Sequence, residues 1–108
     1  MKPVLVALLV VASLTASQQK QTFTGIITDS ECAGVGHARM RMGPTDAECV
    51  VACIRSHGAH YVLEDGKQIY NLTDQKTPEK FAAQKVRVTG TLDEKTKTIR
   101  VESITSAK

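Results

Sequence analysis

The apolar run from Val4 to Val11 (VLVALLVV) constrains this chain more than any other feature. Lys2 gives the run a positive start. Ala12 and Leu14 continue it weakly, and the small residues Ala16 and Ser17 precede the polar Gln18, Gln19 and Lys20. A positive start, a short apolar stretch and small residues follow the order of a secretory signal peptide. The run falls short of the roughly 20 apolar residues that a membrane-spanning helix needs. An uncleaved anchor and a buried core helix are the competing readings. Residues 1–17 are therefore expected to be a cleaved signal, cut after Ala16 or Ser17, with no cysteine at the cut to carry a lipid. Residues 18–108 then form one domain of about 90 residues, expected in the periplasm or secreted, with no membrane span after signal removal. A domain this small buries a limited core and often relies on a disulfide or a metal.

The rest of the chain alternates in ways that read as strands. Gln21 to Asp29 places Phe23, Gly25 and Ile27 on one face and threonines on the other. Gly25 inside that strand predicts a bend or a close backbone approach. Ser30 to Pro44 carries Gly34, Gly36, Gly43 and Pro44 without a period, so it reads as a loop. Thr45 to His57 reads as a helix, capped by Thr45 or Asp46 and stopped by Gly58. Its core stripe is Ala47, Val50, Val51 and Ile54. His60–Glu64 and Lys67–Leu72 flank Asp65-Gly66, a type I′ hairpin signal. Thr77-Pro78-Glu79 opens a short helix, with Thr77 as cap and Phe81 and Ala82 facing inward. Lys85–Leu92 and Thr98–Ile104 alternate on either side of the polar Asp93–Lys97 and make a second hairpin. Thr105 to Lys108 reads as a frayed tail. The fold class is mainly β (α+β). Five strands and one or two short helices suit a small OB-like barrel, with a curled antiparallel sheet as the alternative.

The unusual chemistry sits between Cys32 and His60. All three cysteines, all three histidines and the methionines Met40 and Met42 lie there. Cys49, Cys53 and His57 are spaced to share one helix face. Cys32 and His37 come from the glycine-bearing loop just before it. Cys32, His37, Cys49 and Cys53 make a Cys₃His set, a composition that holds zinc. Thiolate with thioether favours copper(I) instead, with Met40 and Met42 as auxiliary candidates beside His57 and His60. The competing reading is a disulfide from Cys32 to Cys49 or to Cys53, since exported cysteines usually pair. That pairing leaves one thiol over. His57 also suits a helix C-terminus as a cation. Asp29 and Glu31 flank Cys32, either as outer partners for His37 or as solvated loop charges.

Other chemistries find little support. A net charge of +3, an aromatic content of 4% and the absence of Trp give no strong nucleic-acid signal. No CxxCH haem motif, Ser–His–Asp pattern or phosphate loop is present. Asn71-Leu72-Thr73 is a glycosylation sequon that matters only in a eukaryotic secretory pathway.

Gly25-Ile26-Ile27-Thr28-Asp29-Ser30-x-Cys32, His37, Cys49-x3-Cys53-Ile54 and Tyr61-Val62-Leu63 form a recognisable series. It ends with Val86-x-Val88-x-Gly90-x-Leu92 and Thr98-Ile99-x-Val101. With these residues the chain resembles a family of small, exported, uncharacterised bacterial OB-like β domains with a Cys…His…CxxxC cluster. The resemblance covers most of the mature chain. It implies an OB-like fold and export, and it assigns no chemistry to the cluster.

The expected function is an exported binding protein, not an enzyme, that holds zinc or copper through Cys32, His37, Cys49 and Cys53. The alternative is a disulfide-stapled interaction module without metal or catalysis, binding a protein, glycan or oligonucleotide through a face that carries Tyr61 or Tyr70. Thiol-redox activity at Cys49 or Cys53 is a third reading, weakened by the lack of a CxxC.

Overall fold

The computed structural model describes residues 19–37 and 41–107. The expected signal segment, residues 1–17, and Met40 lie outside the described residues. Five strands and one α-helix follow in order: β1 (Gln21–Asp29), α1 (Asp46–His57), β2 (Tyr61–Glu64), β3 (Ile69–Leu72), β4 (Lys85–Asp93) and β5 (Thr98–Ser106). A short 3₁₀ helix, Thr77–Phe81, joins β3 to β4.

The strands form one sheet in the order β1-β2-β3-β5-β4, and β4 pairs back to β1, so the sheet closes on itself. Four of the five pairings are antiparallel. The fifth joins β3 to β5 in parallel, Asn71 beside Thr98 and Leu72 beside Ile99. The closed order replaces the curled, all-antiparallel alternative, because the parallel step gives β3 and β5 each a second neighbour.

Alternation does what it predicts in the interior. Ile27, Leu63, Val86, Val88 and Ile99 are fully buried, and Val50 of α1 joins them. Each such side chain contributes on the order of 1.5–3 kcal/mol when taken from water. Phe23 and Tyr70 meet with ring centroids 5.3 Å apart at 55°. Ile99 and Ile104 both face inward although they lie an odd number of positions, five, apart. The pairing explains this: Thr89 faces Ser103 and Gly90 faces Val101, so Glu102 is an extra residue that resets the alternation. Gly25 makes the predicted close approach. A Cβ there would lie 2.5 Å from the Glu64 carbonyl oxygen.

Four local expectations are corrected. The β2–β3 connection is not a two-residue type I′ turn. Glu64 pairs with Ile69, which leaves residues 65–68 as a four-residue loop. Asp65 Oδ1 shapes that loop by accepting from the Lys67 amide at 2.8 Å and the Gln68 amide at 2.7 Å. Thr77 does not cap the 3₁₀ helix. Asp74 Oδ1 accepts from the Lys76 and Thr77 amides at 2.9 and 3.0 Å instead. The tail is not frayed before Ser106, because Arg87 pairs with Thr105 and Val86 with Ser106. Tyr61 and Tyr70 are core residues, 3% and 8% exposed, so neither ring is displayed on the outer surface as expected.

Candidate metal centre

The connection from β1 to β2 carries the chemistry, and its two ends are fastened together. The Ser30 amide donates to the His60 carbonyl at 2.9 Å, and the His60 amide donates to Ser30 Oγ at 3.1 Å. Gln75 braces the same place from the other side. Its Oε1 accepts from the Tyr61 amide at 2.8 Å, and its Nε2 donates to the carbonyls of Tyr61 and Leu72, both at 3.0 Å.

Within that clamp the loop folds tightly after β1. Asp29 Oδ1 accepts from the amides of Glu31 at 3.0 Å and Cys32 at 2.9 Å. The Ala33 amide donates to the Asp29 carbonyl at 2.9 Å, and the Gly36 amide donates to the Cys32 carbonyl at 2.9 Å. The Gly34 amide reaches across to Glu64 Oε1 at 3.1 Å. These bonds set Cys32 inward and bring His37 round toward α1.

The helix meets the loop from the opposite side. The Thr45 side chain accepts from the Glu48 amide at 3.1 Å, and Gly58 ends the helix in the left-handed region at φ 66°. Cys49 and Cys53, one turn apart, are fully buried against Cys32, with Met42 and Ala59 packed on the cluster. The Met42 amide donates to Cys49 Sγ at 3.4 Å. No disulfide joins any of the three cysteines.

The potential ligand atoms fall into two triads. The sulfurs of Cys32 and Cys49 and a ring nitrogen of His37 lie within 4.8 Å of one another. A carboxylate oxygen of Asp29 and the sulfurs of Cys32 and Cys53 do the same. Cys32 belongs to both. The four residues expected from sequence therefore converge on one region, with three in one triad and Cys53 in the other. His37 Nδ1 is buried without a hydrogen-bond partner, and so is Asp29 Oδ2.

The auxiliary candidates do not join these groups. His57 and His60 are exposed, and His60 Nε2 lies 2.9 Å from Asn71 Oδ1. Eight residues along an α-helix turn a side chain about 80° away from its starting direction, which carries His57 off the face of Cys49. Met42 is half-buried, and its backbone amide, at the edge of the cluster, donates to Cys49 Sγ. Glu31 is exposed. Asp29 is neither a solvated loop charge nor grouped with His37: it is fully buried beside Cys32 and Cys53. Its importance was missed because a carboxylate at a strand end normally faces water. The signal available was its position three residues before Cys32, where Asp builds a turn through its own backbone.

Burial and neighbouring negative charge disfavour the thiolate at Cys32 and Cys53. Burial pushes the Cys32 thiol far up, and the Asp29 carboxylate and the two neighbouring cysteines push it further. Burial also raises Cys53, Asp29 adds to the effect, and a hydrogen bond with Cys32 works against it. Thiols raised in this way are poor nucleophiles at neutral pH. A cation reverses this balance, because it binds the thiolate and expels the proton.

No curated protein and no solved structure matches the chain. A family model matches residues 53–107, from Cys53 to just past β5, and leaves Asp29, Cys32, His37 and Cys49 upstream of the matched segment. The chain belongs to the family described as protein of unknown function DUF5818.

Proposed function

We propose that this chain is an exported binding protein that holds a soft metal ion, zinc or copper, through its Cys/His cluster. The observation that carries the reading is the triad of Cys32, His37 and Cys49, with three ligand atoms within 4.8 Å of one another. Ligands around one tetrahedral zinc stand roughly 3.3–3.8 Å apart, given bonds of about 2.0–2.3 Å, so small rotamer shifts close the set. The buried, unpartnered Nδ1 of His37 supports it, since a buried polar atom without a partner costs free energy that a metal bond removes. Cys53, within 4.8 Å of Cys32 but grouped with Asp29, would complete a Cys₃His centre by turning toward His37 and Cys49.

Export rests on the Lys2, Val4–Val11 and Ala16-Ser17 pattern. Among the described residues no helix is long and apolar enough to cross a membrane. An OB-like barrel is the architecture the strand order favours: five strands, a closed ring and a parallel β3–β5 step. On that reading the metal cluster occupies the connection between the first two strands, a place where OB-like domains carry their binding loops.

One observation favours a second reading. Cys32 Sγ lies within 4.8 Å of both Cys49 and Cys53, so either disulfide needs only a modest movement. Elemental analysis of protein purified from the periplasm, with thiols counted under denaturing, non-reducing conditions, separates the two. The metal reading predicts at least one zinc or copper per chain and three free thiols. No metal, with one free thiol, selects the disulfide-stapled module.

A further inference from the structure

Beyond a single ion, we infer that the cluster accepts two divalent, zinc-like ions that share the Cys32 thiolate. The first occupies Cys32, His37 and Cys49, so the inference rests on the metal reading above. The second occupies Asp29, Cys32 and Cys53.

The second triad has its own support. Asp29 is fully buried, and its Oδ2 has no hydrogen-bond partner. Its Oδ1 is occupied by the amides of Glu31 and Cys32, so Oδ2 is the oxygen left to bind a cation. Burying a carboxylate among sulfurs is costly unless a positive charge accompanies it. No Lys, Arg or His pairs with Asp29 among the described residues. Charge balance points the same way. Three thiolates and one carboxylate carry four negative charges, and two divalent ions carry four positive. The carboxylate also selects the metal, because an oxygen donor suits zinc and not copper(I). As the ions enter, the protons of Cys32, Cys49 and Cys53 leave to solvent.

The test is titration of the reduced, metal-free full chain with Zn²⁺, followed by desalting and elemental analysis. The inference predicts two zinc ions per chain. Asp29→Asn keeps an oxygen for the Glu31 and Cys32 amides and is expected to bind one. Cys53→Ser leaves that turn untouched and is expected to bind one as well, which guards against a folding defect in the Asp29 variant. A wild-type ratio of one overturns the second ion and leaves the single-ion reading standing. A ratio of zero overturns both. Two ions retained by both variants overturns the assignment to Asp29 and Cys53. Co²⁺ tests the sharing: ions bridged by one thiolate couple magnetically, so the resonance signal per cobalt falls as the second equivalent binds. Signals that simply add contradict a shared Cys32.

Discussion

The Cys32 amide donates to Asp29 Oδ1 at 2.9 Å, so the residue that closes β1 also aims the first sulfur of the cluster. The two oxygens of Asp29 have opposite circumstances: Oδ1 holds two amides and Oδ2 holds nothing. This asymmetry sets an order of stability for the metal-free protein. Asp29→Ala strands two amides and is expected to cost about 1–3 kcal/mol. Asp29→Asn keeps an acceptor for both amides, so it should be more stable than Asp29→Ala. Urea unfolding in the presence of a chelator checks the order; an Asn variant as weak as the Ala variant contradicts it.

His37 and His60 are expected to respond differently to the same kind of change. His37 contributes a ring nitrogen to a triad with Cys32 and Cys49, whereas exposed His60 is engaged with Asn71. His37→Gln should weaken zinc binding by at least about tenfold. His60→Ala should leave it unchanged. Competition against a chromophoric chelator measures both, and equal losses would remove His37 from the site.

Gly25 has no room for a side chain, because the Glu64 carbonyl oxygen lies where a Cβ would go. Gly25→Ala must push β1 from β2 and is expected to destabilise by about 1–3 kcal/mol. The adjacent Ile26 is half-exposed. Ile26→Thr should stay within about 0.5 kcal/mol of the wild type. A tolerant Gly25 would mean that the two strands do not approach as described.

Asp74 supplies the expected acid sensitivity. Burial works against its charge, but the Thr77 hydroxyl and the amides of Thr77 and Lys76 hold its carboxyl below the usual range. Its folded value is therefore lower than its unfolded value. The stabilisation is complete above the ordinary carboxylate pKa, about 3.9, and is lost as pH falls through the lowered folded value. The gap in urea midpoint between wild type and Asp74→Ala should accordingly narrow from pH 7 to pH 2. A gap that stays constant assigns the contribution to something other than the charge.

Much of the fold was legible because local rules and tertiary packing agreed. Gln21–Asp29 alternates along its length and becomes β1, and Thr45 and Gly58 bracket α1 as their chemistry requires. The register of β5 was not legible. Glu102 looks like any exposed strand residue, and only pairing with β4 shows that it is the extra one. The Asp65-Gly66 pair was misleading because Asp65 uses its side chain to build a longer turn. At the site, the clustering of sulfur and imidazole could be read from spacing. The burial of Asp29 could not, because it depends on the loop after β1 folding back against α1. Gln75 was equally hidden: its bonds to Tyr61 join segments fourteen residues apart.

X-ray absorption at the metal edge of the zinc-loaded protein tests the central claim most directly. Cys32, His37 and Cys49 around one ion predict a shell dominated by sulfur at about 2.3 Å, with imidazole nitrogen at about 2.0 Å. A shell of oxygen and nitrogen alone, without sulfur, would place the metal elsewhere and contradict the account.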